Sequence, residues 1–371
     1  MTLGLVGVFA SNASTATAEF ATNKTWKPTI PIALPIPLPT DPNEITFANI
    51  LDHVTEIPEA AWNKIHQEAD NSQRRSIPVK LYVGPTTNTT KAQILDLLGL
   101  EMRLMNNIKQ PRKLIALAYN GADVSWAESK WRKVVRVENL GINPNSYLGH
   151  LRAGCTKGVE CWGGMAVDIG TSGDIVVFLG VQEPHWTVDK QNNGPMSQVL
   201  HEYTHAVQFS QWIGKSNALS SAMHAVVPCW WQEGQANAIG IGVWAPDVST
   251  YQAVRDYNVT RPVNPKGPRP ALVDFDKKAF TKFLNQDPLK CSHPKTNGDY
   301  QFGFSVGFAA VEALIAIGGA RATMAVLKRA AVGESWATAF KAVYGVKWSI
   351  ARDILASVLT AEYAETPLRT E

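Results

Sequence analysis

No block of like charge occurs in this chain. Its 371 residues carry 35 lysines and arginines against 32 aspartates and glutamates, a formal net charge of +3. Without a basic stripe there is no electrostatic footprint for nucleic acid, and no such partner is expected. Long apolar runs are missing too. The most apolar late stretch, FSVGFAAVEALIAIGGA, carries Glu312 and is too short before Arg321 to span a bilayer. It is expected to form a buried helix, with no stable membrane insertion. Cysteine is scarce: four residues, none in a C-x-x-C spacing. An even count without that spacing predicts disulfides in an exported protein, Cys155 with Cys161 and Cys229 with Cys291. A zinc knuckle from His150, Cys155 and Cys161 would lack a fourth ligand nearby, so the disulfide is preferred.

The N-terminus, MTLGLVGVFASNASTATAEF, lacks the basic region of a secretory signal but has its other parts. An apolar run from Leu3 to Ala10 precedes Ala16-Thr17-Ala18, an A-x-A cleavage pattern. Residues 1–18 therefore read as a signal peptide, and the protein as secreted. The six prolines of residues 27–42 predict an extended linker over 19–45.

What is plentiful is apolar: 45% of residues are hydrophobic, enough for a sizeable core. Twelve tryptophans could line a cleft for sugars or cell-wall polymers, but large aromatics mostly serve packing, and that role is expected. Periodicity predicts a helix from Pro58 to Ala69, a strand in IPVKLYVGP, and a helix from Lys91 to Asn107. A strand in KLIALAYN and a short helix from Ser125 to Val135 follow. GGMAVDI and DIVVFLG flank Thr171-Ser172-Gly173 as a hairpin. From residue 195 onward nearly everything reads as helix punctuated by glycine. The expected class is α+β, with a front half (46–190) holding a small mixed sheet and a helical back half (191–371).

At the seam stands VLHEYTHAVQ, residues 199–208. A helix from Pro195 to about 212 would bury Met196, Val199, Leu200, Tyr203, Ala206 and Val207 as one stripe. His201 and His205 would then face the other way. Two imidazoles at i and i+4 reach one metal ion, and Glu202 between them is placed for a water on that metal. With eight histidines in the chain, a chance H-E-x-x-H arises on the order of once in a hundred such chains. Zinc needs a third protein ligand. A histidine six residues beyond His205 is absent, because Gln208 and Gln211 occupy the places of the H-E-x-x-H-x-x-G-x-x-H pattern. The candidates downstream are Glu233, in CWWQEGQANAIG, and His224.

With H-E-x-x-H followed by W-x-x-E-G-x-A, the chain resembles the gluzincin metallopeptidases over about residues 195–345. That resemblance implies a zincin-like fold in which the sheet precedes the active-site helix. It implies one Zn²⁺ held by His201, His205 and Glu233, with Glu202 as general base. It implies an acceptor for a ligating imidazole four residues past Glu233, where the family often has an acid and this chain has Asn237. A tyrosine opening a later helix points to Tyr300 as an oxyanion donor, with His293 as the alternative. The expected partner is a peptide or protein substrate, bound by a monomer along a strand of the hairpin.

Overall fold

The computed structural model describes residues 44–73, 76–153, 155–156, 160–161, 163–169, 172–181, 197–260, 274–286 and 300–366. The segment read as a signal, nearly all of the linker, Pro195, Cys291 and His293 lie outside the described residues.

A 3₁₀ turn over Ile50–Glu56 leads into α1 (Ile57–Asp70), which has Pro58 in its first turn. Strand β1 (Val79–Val83) is followed by α2 (Lys91–Leu104). Thr90 starts α2 with a capping box, accepting from Gln93 N–H while the Gln93 side chain accepts from Thr90 N–H. Next come β2 (Lys113–Tyr119), α3 (Val124–Val137) and α4 (Leu148–Ala153). Two short strands, β3 (Cys155–Thr156) and β4 (Glu160–Cys161), pair antiparallel under the Cys155–Cys161 disulfide. Strands β5 (Gly164–Ile169) and β6 (Asp174–Gly180) form the expected hairpin, with Ile169 opposite Asp174 and Gly164 opposite Leu179.

The back half is helical, as read. It holds α5 (Ser197–Ser210), α6 (Leu219–His224), α7 (Cys229–Trp244), α8 (Val248–Val259) and α9 (Lys277–Leu284). The tail continues with α10 (Tyr300–Gly303), α11 (Val306–Gly318), α12 (Ala320–Ala330), α13 (Trp336–Tyr344) and α14 (Trp348–Glu365).

The class is α+β. One four-stranded mixed sheet has the order β1-β2-β6-β5, with β1, β2 and β6 parallel and β5 antiparallel at the edge. Both faces of the inner strands are covered, which is why KLIALAY and IVVFLG read as continuous apolar runs rather than alternations. One face carries Trp131, Leu151 and Phe178; the other joins the main core. That main core takes residues from both halves, from Ile45 to Tyr363. It contains Trp230 and Trp231, and no described tryptophan is exposed. Helix α11 is buried along its length, Glu312 included. Among the described residues, no single helix is long and apolar enough to cross a membrane.

The stripe expected on α5 is buried at Val199, Leu200, Tyr203, Ala206 and Val207, but its confinement to one face is corrected. Thr204, Gln208, Ser210 and Gln211 are buried as fully as the apolar residues, and only Gln198 and His205 are half-buried. The helix has no outer face, because α7 covers one side while α2, β5 and β6 cover the rest. The donor groups of these polar side chains find partners in place: Ser210 donates to Ala206 C=O, Thr204 to Leu200 C=O, and Gln211 Nε2, just past the helix, to Lys109 and Val207 C=O.

Candidate metal and catalytic site

Helices α5, α7 and α11 approach backbone to backbone, and glycine makes that possible. A Cβ at Gly240 of α7 would stand 2.8 Å from His201 N on α5. On another side of α7, a Cβ at Gly234 would overlap the Gly307 carbonyl of α11, and one at Gly307 would overlap the Trp230 carbonyl. The glycine of the W-x-x-E-G pattern is thus the crossing point that sets the depth of Glu233 beside it. Gly234→Ala must push two backbones apart, so it should cost about 1–3 kcal/mol or more. A thermal or denaturant melt checks this; an unchanged midpoint would remove the crossing argument.

The sequence candidates converge. His201 Nε2 and His205 Nε2 lie 3.0 Å apart, and Glu233 Oε2 stands 3.5 and 3.3 Å from them. One ligand atom from each residue lies within 4.8 Å of the others. Phe304 stacks on the His201 ring and Phe209 on the His205 ring, walling the cluster with apolar faces. Burial works against charge here, but the imidazoles overcome it at Glu233 and hold its carboxyl far below the usual range. Conversely, burial opposes a proton on His205, yet the Glu233 carboxylate lifts that imidazole to about 9.

Each histidine is oriented from behind. Asn237 Nδ2 donates to Phe304 C=O at 2.9 Å, so its Oδ1 must be the atom 2.8 Å from His201 Nδ1. An amide oxygen only accepts, which puts the proton on Nδ1 and turns the Nε2 lone pair to the cluster. His205 Nδ1 likewise donates to Gln208 Oε1 at 2.8 Å. Once a metal displaces the extra His205 proton, two inward lone pairs and an ionised carboxylate stand within one metal's reach, a donor set that could hold a metal ion. His224 is not part of the set. It is half-buried on α6, where desolvation lowers its pKa, and its ring meets Phe209 edge-on.

Glu202 is buried and accepts a hydrogen bond from Ala166 N–H of β5. Burial holds its carboxyl above the ordinary value, against the pull of His201 and His205. β5 comes close enough that a Cβ at Gly164 would stand 2.8 Å from Glu202 Oε1. Tyr300 opens α10, which packs on α7, and a Cβ at Gly303 would be 3.2 Å from Glu233 Cβ. The Tyr300 side chain itself lies outside the described set. Cys229, which begins α7, is disulfide-bonded; its expected partner Cys291 is not among the described residues.

Three residues beside the site were not singled out in the sequence. Gln208 and Gln235 are buried amides that hydrogen-bond each other at 2.8 Å. Glu101 of α2 is fully buried behind α5, 2.7 Å from Thr204 Oγ1, and burial pushes its carboxyl well above the ordinary value. Buried polar residues on an otherwise apolar helix were the only available signal. No protein-family model matches the chain, and neither a curated protein nor a solved structure shows significant similarity to it.

Proposed function

We propose that this chain is a zinc-dependent peptidase with a zincin-like arrangement, holding one Zn²⁺ through His201, His205 and Glu233. The observation that carries the reading is the convergence of those three groups within 4.8 Å, with both imidazoles oriented from behind. Bound there, zinc supplies Lewis acidity that polarises a carbonyl and acidifies a water. Glu202 takes the proton from the attacking water and passes it to the leaving amine. Burial raises its carboxyl above the ordinary value, which makes it a better proton acceptor than a free carboxylate. Ala166 N–H holds the carboxylate in place. The edge of β5 away from β6 has no strand partner among the described residues, so an extended peptide can add there as a further strand. Tyr300, with His293 as the alternative, is the donor proposed for the oxyanion. Export and a monomeric state complete the reading, the first on the A-x-A pattern and cysteine usage.

Metal analysis combined with digestion of casein and a peptide library, with and without a chelator, tests this. Near-stoichiometric zinc and cleavage abolished by the chelator are the expected results. Zinc without cleavage of any peptide would make the chain a binding module. Hydrolysis confined to non-peptide amides would change the substrate class but keep the site.

A further inference from the structure

Behind His205 the hydrogen bonds continue well past Gln208. Gln208 Nε2 donates both to Gln232 C=O at 3.0 Å and to Gln235 Oε1 at 2.8 Å. Gln235 Nε2 donates to Thr323 Oγ1 at 2.6 Å, and Thr323 donates to Ala320 C=O at 2.6 Å. Gln208, Gln235 and Thr323 are each fully buried. The relay thus runs from the first turn of α12, through α7, to the histidine on α5.

Every orientation along this line is forced from its far end. Ala320 C=O can only accept, so the Thr323 hydroxyl gives its one proton there and has only lone pairs left for Gln235. Gln235 must meet it with its NH₂ and therefore turns its oxygen to Gln208. Gln208 in turn must present NH₂ to that oxygen, and Gln232 C=O demands the same. The Gln208 oxygen is then the atom facing His205, and an acceptor there requires the proton on Nδ1. Reversing any one amide would set donor against donor or acceptor against acceptor among fully buried groups, where a mismatch is costly. The start of α12 is itself fixed, since Arg321 N–H donates to the Glu68 carboxylate at 3.0 Å and Arg321 Nε is bound by Leu104 C=O.

We infer that Thr323 is a remote positioning residue for His205: through Gln235 and Gln208 it reinforces, beside the Gln232 carbonyl, the orientation that turns His205 Nε2 to the cluster. The inference rests on the metal-site reading above. Its test separates the two by using cobalt(II) alone as the probe and a second measurement without metal. Thr323→Val keeps the shape but removes the hydroxyl; Thr323→Ser keeps the hydroxyl. Cobalt(II) affinity should fall about tenfold in Thr323→Val, the low end for loss of an outer partner of a metal-bound histidine, with a shifted visible absorption band. Thr323→Ser should restore both. In the metal-free protein, the His205 Nδ1 proton should give a slowly exchanging low-field resonance in the unaltered and Ser forms. In Thr323→Val that proton should exchange faster. Gln235→Met cuts the relay one link nearer and should act the same way, which keeps the test decisive if Thr323→Val fails to fold. Unchanged affinity, spectrum and proton exchange in folded Thr323→Val or Gln235→Met would overturn the inference. If the unaltered protein binds no cobalt while the proton still responds to Thr323→Val, the relay stands and the metal reading falls.

Discussion

Glu202→Gln should leave the fold and the metal content intact while lowering peptide hydrolysis by about two to four orders of magnitude. The amide fills the same buried space, and its oxygen can still accept from Ala166 N–H. What it cannot do is take a proton from a water. The loss should therefore fall on kcat rather than on KM, since nothing in the binding surface has changed. Zinc analysis beside a kcat measurement checks both halves. Near-normal turnover would refute Glu202 as the base and leave the metal site standing, whereas loss of zinc would mean that the carboxylate holds the cluster together.

The second large effect is on metal affinity. His201→Ala or His205→Ala removes one of three protein ligands. Structural zinc sites bind with about 10–16 kcal/mol in all, so one ligand of four positions carries roughly 3 kcal/mol, a loss on the order of a hundredfold or more. Full zinc occupancy in either variant at the same free zinc would dispose of the site. The unaltered protein should also show a marked pH dependence. His205 keeps its proton up to about pH 9 beside Glu233 when no metal is present. A metal must displace that proton, so affinity should climb about tenfold per pH unit and level off near 9. The same shift bears on the metal-free fold. Its folded-state pKa lies above the ordinary 6.5, so the stabilisation is complete below 6.5 and lost as pH rises through about 9. Isothermal titration across pH 6–10 and melts of the metal-free protein read the two trends separately.

Much of the architecture was legible in the chain because it depends on short-range pattern. The i, i+4 spacing of His201 and His205 becomes a 3.0 Å Nε2 separation simply because α-helical pitch stacks those positions. Apolar runs between turn residues yielded β1, β2, β5 and β6, and the helix expected from Lys91 begins at that residue as α2. The local Cys155–Cys161 bridge also needed only six residues of separation.

Tertiary structure alone decided the surroundings. α5 read as amphipathic because periodicity sorts residues only by polarity, and it says nothing of whether Gln208, Thr204 and Gln211 are buried. The fold buries them because hydrogen bonds to Glu101, Gln235 and Lys109, all distant in sequence, replace water that they lose. Whether Gln208 faces solvent or directs an imidazole depends on Gln235 and Thr323, which lie on helices brought together only by packing. Gly164, Gly234 and Gly240 carry no side-chain signal at all, yet each marks where a strand or helix touches the cluster. A sequence specifies which side chains a helix turn aligns, through bond geometry within that turn. Which partner meets them, and in which orientation, is fixed by contacts between segments far apart in the chain, and those exist only once the core has closed.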